Sequence, residues 1–280
     1  MSDLPAAASH CPVTTIIVTH NSQPVLGRCL AAIRAQTARP EQVVIIDSGS
    51  HDRSYLRHLE DEDDVLLHYA DNIGFAAANN LGVAVASHAS RYLLFLNPDA
   101  FMAPTVLAAA AAIMDQKEQI GILGGRLTGY DSKSGAPTGR LDSTGIFRRW
   151  YGRWYDRGQG QPDGGDYRTA QAVTALCGAF LFCRRRALEP ELPKLFDEDF
   201  FLYKEDIDLC LRLRRHGWQC WYDPALEIFH CRGWAADRSQ ISRALRLLAA
   251  RNEVRLTVKH RSPYIIWALV KYLLVWAADA

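Results

Sequence analysis

The chain has 280 residues, enough for one large α/β domain with a buried core or at most two small ones. Its 32 lysines and arginines nearly balance 31 aspartates and glutamates, and a net charge of +1 gives no electrostatic ground for a nucleic-acid partner. The seven cysteines show neither the C-x-x-C pairs of a zinc site nor a regular disulfide spacing and fit reduced thiols in the cytosol, and the opening MSDLPAAASHCP lacks the basic-then-apolar pattern of a secretory signal.

From Val13 to Gly124, short β-branched runs alternate with alanine-rich helical stretches, the pattern of a mostly parallel sheet flanked by helices. The apolar runs Val13 to Val18, Val43 to Ile46, Val65 to His68 and Tyr92 to Leu96 each end in polar residues, and open α/β sheets bind ligands at such carboxyl ends. The first run gives Thr19-His20-Asn21-Ser22 with no glycine fingerprint after it, which disfavours a dinucleotide oxidoreductase and a P-loop enzyme. The second gives Asp47-Ser48-Gly49-Ser50-His51-Asp52: either an acid set against the polar edge of a base or ribose, or a turn with Ser50 or Asp52 capping the next helix. The fourth enters Asn97-Pro98-Asp99, placing a carboxylate where it can meet a hard divalent cation that carries diphosphate oxygens; a plain Pro-Asp turn is the simpler alternative.

Between Leu127 and Tyr167 the periodicity fades, and a long loop or excursion is expected, interrupted by the basic aromatic stretch Arg148 to Tyr155. Regular structure is expected again as a strand over Val173 to Cys183 and a helix over Glu205 to His216. Glu205, Asp206 and Asp208 sit in that helix's first turn, where the dipole favours anions, and the preceding Phe200, Phe201, Leu202 and Tyr203 would desolvate a carboxylate toward a useful general base. Ala225 to His230 reads as an apolar strand ending in a histidine, which only the company of Asp99 promotes from structural hydrogen-bonder to metal candidate.

Toward the end, a helical pattern from Ser239 to His260 carries Arg243, Arg246, Arg251, Arg255 and Lys259, and a second apolar stretch follows from Tyr264 to Ala278. The latter would be roughly 22 Å long as a helix, too short to cross a bilayer core of about 30 Å. With Trp267, Tyr272 and Trp276 it suits the membrane interface; packing on the domain or on a second copy in a homodimer is the other reading.

Taken in order, Thr15 to Ser22, Asp47 to Asp52, Asn72-Ile73-Gly74-Phe75-Ala76-Ala77-Ala78-Asn79-Asn80, Asn97 to Asp99, Glu205-Asp206 and the His230 segment resemble family 2 glycosyltransferases of the GT-A fold, and within them the rhamnosyltransferase-like subgroup. The resemblance spans Thr15 to about Arg238 and implies a transferase domain over 1–238 followed by C-terminal helices over 239–280. It implies donor binding by Thr19, Asn21, Asp47, Ser48, Asp52, Asn72, Gly74, Phe75, Asn79, Asn97 and Asp99; metal ligation of Mg²⁺ or Mn²⁺ by Asp99 and His230; and Asp206, with Glu205 as rival, as the base of an inverting displacement. Gly178, Ala179 and Tyr203 fall on the acceptor side, as do the Leu141 to Gly145 and Cys177 to Leu181 segments. Asn97 replaces the first acid of the family's D-x-D metal motif, so one negative charge is missing from the metal site. The implied substrates are a nucleotide sugar, dTDP-rhamnose ahead of a UDP-sugar, and a glycan or lipid-linked glycan in cell-surface polysaccharide synthesis at the cytoplasmic face of the inner membrane. The rival from another class is a module that binds sugar nucleotides without catalysis.

Overall fold

The computed structural model describes residues 9–231 and 242–277, so the division expected at 238/239 lies outside the described residues. In chain order the first half is β1 (Ser9–Thr19), α1 (Gln23–Arg34), β2 (Ala38–Ser48), β3 (Val65–Ala70), α2 (Gly74–Ala84), β4 (Tyr92–Leu96), β5 (Ala100–Met102) and α3 (Val106–Gln116). The four apolar runs are four strands, parallel in the order β3-β2-β1-β4, with Thr19 opposite Asp47 and Ile46 opposite His68. All five residues of β4 are buried, so both of its faces are covered, which is why it is continuously apolar, whereas β3 at the sheet edge is only partly buried.

The second half runs β6 (Ile120–Asp131), β7 (Ala136–Ser143), β8 (Ile146–Arg148), β9 (Trp154–Asp156), β10 (Gln171–Ala172), β11 (Phe180–Arg184), the short α4 (Arg185–Leu188), α5 (Glu205–Arg215), β12 (Gln219–His230), α6 (Arg243–Lys259) and α7 (Ile265–Ala277). It extends the sheet to β10-β12-β6-β11-β4-β1-β2-β3, with β11 antiparallel to both neighbours, β12 parallel to β6, and β5 and β7 paired at the side. The result is a mixed α/β fold on a mostly parallel central sheet.

Two expectations change. Residues 127–167 are not one loop: β6 and β7 form a hairpin, and β8 and β9 form a second with Trp150 at its tip, 84 % exposed. The first five residues of β7 face solvent, so no apolar alternation marks it. The strand foreseen from Val173 begins only at Phe180; Val173 to Ala179 are mostly buried but irregular, and they form part of the wall described next.

Helix α6 is integral to this unit. Leu256 belongs to the main hydrophobic cluster, and Asn252 and Glu253 are buried beneath it.

Candidate active site

The carboxyl ends of the parallel strands open into a cavity of about 730 Å³. One wall is made where β5 pairs antiparallel with β12: His230 stands opposite Ala100, which brings its ring beside Asp99. His230 Nε2 lies 3.3 Å from Asp99 Oδ1, and Nδ1 lies 2.7 Å from Asp142 Oδ2. Burial disfavours a charge on this imidazole, but the bonds to Asp142 and Asp99 outweigh it and raise its pKa to about 9. Burial likewise raises Asp99, yet the hydrogen bond and charge of His230 prevail and hold the carboxyl below its usual range. Asp142 belongs to the Leu141 to Gly145 segment expected near the acceptor side. It is fully buried behind His230, a carboxylate that fixes which ring nitrogen faces the cavity.

The opposite wall is the start of α5. Asp206 Oδ2 accepts from the Gly178 backbone N–H (2.9 Å) and Oδ1 from that of Ile207 (2.8 Å), while Glu205 keeps a buried oxygen, Oε2, without a partner among the described residues. Burial raises both carboxyls. Glu205 is raised further by the neighbouring Asp206 charge, whereas Lys204 and the two N–H donors restrain the rise of Asp206. Asp206 is partly accessible from the cavity and Glu205 is almost wholly enclosed.

The chain reaches α5 through a turn in which Phe201, Tyr203 and Lys204 all hold positive φ (58°, 73° and 77°), a region costly for side chains of this size. Two contacts impose it. The Phe201 carbonyl accepts from the Phe75 and Ala76 N–H groups at the start of α2, and the Asn252 side-chain amide of α6 donates to the carbonyls of Phe200, Leu202 and Tyr203. Gly74 is required beside this turn: its φ is +82°, and a Cβ there would stand 2.4 Å from the Phe201 ring.

Of the donor-side residues, Ser48, Asn72, Gly74, Phe75, Asn97 and Asp99 line the cavity, as do Gly178, Ala179 and Tyr203 on the acceptor side and Glu205, Asp206 and His230. Thr19, Asn21, Asp47, Asp52 and Asn79 do not. Thr19 Oγ1 meets the Tyr55 hydroxyl at 2.8 Å, and Asn21 Oδ1 accepts from the His51 N–H at 2.9 Å. Asp47 is buried and accepts from Arg53 Nε at 2.7 Å, and Asn79 donates to the Phe75 carbonyl at 2.9 Å. Asp52 accepts from the Ser54 N–H at 2.8 Å, the turn-forming alternative, and this bond holds its carboxyl below the usual range. Sequence reasoning did not single out His20, whose Nδ1 is bonded to the Ser48 carbonyl at 2.8 Å, nor Trp154, Asp156 and Leu245 as wall residues. His20 lies inside the Thr19 to Ser22 motif, and the basic aromatic stretch Arg148 to Tyr155 carries the signal for Trp154.

The Asp99 and His230 corner presents two of the ligands a divalent cation takes, provided the imidazole gives up the proton it shares with Asp99. A carboxylate oxygen and an imidazole nitrogen face one another there, and the buried Asn97 Oδ1 nearby in sequence has no partner among the described residues. Among the described residues, no group of three or more histidines, cysteines or acids could hold a metal, so the remaining ligands would have to come from a bound diphosphate.

Residues 14–189 match the family described as glycosyl transferase family 2. The chain belongs to that family. It is 27% identical over 271 residues to an N-acetylglucosaminyl-diphospho-decaprenol L-rhamnosyltransferase of Mycobacterium tuberculosis, covering 90% of this chain and 83% of the relative. A validoxylamine A glucosyltransferase of Streptomyces hygroscopicus subsp. limoneus is 31% identical over 148 residues, covering 49% of this chain and 31% of the relative. Among solved structures, GalNAc-T7 with UDP, GalNAc and Mn²⁺ superposes with a TM-score of 0.67 at 16% identity over 90% of this chain, which spans about half (48%) of that one. The mannosyltransferase PcManGT from Pyrobaculum calidifontis, in complex with GDP-Man and Mn²⁺, gives 0.61 at 19% identity, covering 99% of this chain and 78% of that one. These likenesses establish the GT-A fold for the family 2 chain.

Proposed function

We propose that this chain is an inverting glycosyltransferase that moves a sugar, L-rhamnose from dTDP-rhamnose in the first instance, to a lipid-linked glycan acceptor. The observation that carries the reading is that Asp206 and the Asp99–His230 pair line the same cavity. Ser48 and Asn72 lie at the ends of the parallel strands, where base and ribose would lodge, and Asp99 and His230 would hold Mg²⁺ or Mn²⁺ against the diphosphate. When bound, such a cation offsets charge growing on the departing phosphate.

Asp206 is the base. Its carboxylate is oriented by two backbone donors, is raised by burial, and is open to the cavity, so it takes the proton of the acceptor hydroxyl as that oxygen bonds to the anomeric carbon. The bond to the nucleoside diphosphate breaks on the opposite face, which inverts the anomeric centre. Glu205 is too enclosed to share this role.

Rhamnose is supported by the name of the mycobacterial relative, as is a lipid diphosphate acceptor. Seven free cysteines, six of them buried, accord with work on the reducing, cytoplasmic side of a membrane. The experiment is a panel of nucleotide sugars, read by nucleoside diphosphate release with and without Mg²⁺ or Mn²⁺. Release from dTDP-rhamnose is expected. Release only from a UDP-sugar would replace the donor, and nucleotide binding without turnover of any donor would favour a non-catalytic module.

A further inference from the structure

Helix α7 places Ile266, Leu269, Val270, Leu273 and Leu274 at the i, i+3, i+4, i+7, i+8 spacing of a single face, and that face is bare: Ile266 is 74 % exposed, Leu273 58 % and Leu274 62 %. Exposed apolar patches of this kind mark contact surfaces. The tip of the β8–β9 hairpin packs on the start of the same helix. Tyr151 packs edge-on against Trp150 and Trp267, with ring centroids 5.4 and 5.0 Å apart, and the Arg148 guanidinium sits 4.5 Å over the Tyr264 ring. Trp150 and the α7 face are thus parts of one connected element.

The charge around them is net positive: Arg255, Lys259 and Lys271 are paired with Asp199, Asp197 and Glu253, while Arg243, Arg251 and Arg261 are exposed. Residues 242–277 contain seven lysines and arginines and one acid, Glu253, which is buried against Lys271. Arg148, Arg149 and Arg153 add to this from the hairpin, and Lys271 feels the charges of both Arg153 and Lys204, the latter a cavity residue.

We infer that the apolar face of α7, with Trp150, seats in the interface of an anionic phospholipid bilayer. A second copy of the chain is a poor occupant, because a two-fold contact would set this basic surface against itself. An anionic bilayer complements it, and leucine, isoleucine and tryptophan beside a rim of cations are the composition of an in-plane helix. At about 20 Å, α7 is too short to cross, and no described helix is long and apolar enough to do so. Leu245 of α6 and Trp154 of the hairpin line the catalytic cavity, so its rim borders the docked surface. The inference rests on, and extends, the lipid-linked acceptor proposed above: the acceptor's sugar enters the cavity while its lipid stays in the bilayer.

The test floats the full chain with phosphatidylglycerol-containing vesicles and with phosphatidylcholine vesicles. Binding to the anionic vesicles alone is expected, weakened by high salt. Leu273→Glu combined with Leu274→Glu should lower that affinity at least tenfold while transfer to a water-soluble acceptor analogue stays at the parent rate. Three outcomes overturn the inference: no binding of the parent to anionic vesicles, unchanged binding of the double variant, or a concentration-dependent dimer that the same substitutions dissolve. Vesicle binding without transfer to any acceptor would instead sink the transferase reading and leave this surface standing.

Discussion

The side-chain amide of Asn252, on the penultimate helix, donates to the main-chain carbonyl of Phe200 at 2.6 Å, and the same nitrogen reaches the carbonyls of Leu202 and Tyr203 at 2.8 and 3.0 Å. The turn it holds contains three non-glycine residues at positive φ and ends one residue before Glu205 and two before Asp206. A conformation this costly persists only while its surroundings impose it.

Asn252→Ala should therefore act on the chemistry more than on the donor. Leaving the three carbonyls without this donor costs about 1–3 kcal/mol, and a base displaced by an ångström can cost about 100-fold in rate. The expected result is kcat down ~100-fold with the affinity for nucleoside diphosphate within about twofold, measured by steady-state kinetics and calorimetry. Asn252→Asp, which sets carboxylate oxygens against those carbonyls, should lose at least as much. Equal losses in kcat and donor affinity would mean general disorder rather than positioning.

Much of this site was legible in the sequence, for a physical reason. A parallel strand buried on both faces must be continuously apolar, so β4 and the buried stretches of β1 and β2 announce themselves, and the residues at their ends, Ser48, Asn97 and Asp99, follow by position. The helical spacing from Glu205 likewise fixes α5 and its acidic first turn. Asn252 was not legible: a buried amide inside an arginine-rich helix has no periodic signature, and its importance comes from a turn some fifty residues earlier. The β6–β7 hairpin was missed because most of β7 faces water. Asp47 and Asp52 are ambiguous in the sequence for the opposite reason, since an acid at a strand end can equally well be held by Arg53 or by a turn N–H, as both are in this structure.

The pH dependence of transfer should report the buried carboxyls at the head of α5. Burial raises Asp206, and only its ionised form accepts a proton, so the rate should rise with pH along an acid limb placed above the usual carboxylate range. Asp206→Asn should reduce kcat by about 10³-fold with donor binding largely intact, as expected for a lost general base. Glu205→Gln should retain transfer within about tenfold, because its side chain is enclosed. If the two variants exchange these behaviours, Glu205 is the base.

Asp142 should govern the cation without touching it. Its carboxylate, 2.7 Å from His230 Nδ1, holds the imidazole so that Nε2 faces Asp99. Residues that orient a metal-ligating histidine are typically worth about 10–100-fold in metal affinity. Asp142→Ala is expected to weaken Mn²⁺ binding in the presence of nucleoside diphosphate within that range, titrated by electron paramagnetic resonance, while metal-free nucleotide binding is unchanged. Unaltered Mn²⁺ affinity would remove His230 from the ligand set. Asp99→Ala should go further and abolish metal-dependent tightening of nucleoside diphosphate binding.

Stability at low pH should depend on Asp208, which joins α5 to the end of α6. It is fully buried, with Arg212 Nε at 2.8 Å, Lys259 Nζ at 3.0 Å and His260 Nε2 at 2.8 Å. Burial alone would raise its pKa, but the His260 hydrogen bond and the Arg212 and Lys259 charges outweigh it and hold the carboxyl at about 2. Because the folded value lies below the unfolded one of about 3.9, the charged form stabilises the protein above pH ~4, and that contribution is lost as pH falls toward 2. Asp208→Asn removes it at every pH, but Arg212 keeps Glu191 and Lys259 keeps Asp197, so the cost is at most about 3 kcal/mol, the low end for a broken buried pair. The expected result is a Tm lower by ~5–10 °C at neutral pH, with the gap to the parent closing as both are acidified toward pH 2. A gap that stays constant across that range would mean that the loss comes from altered packing rather than from the missing charge.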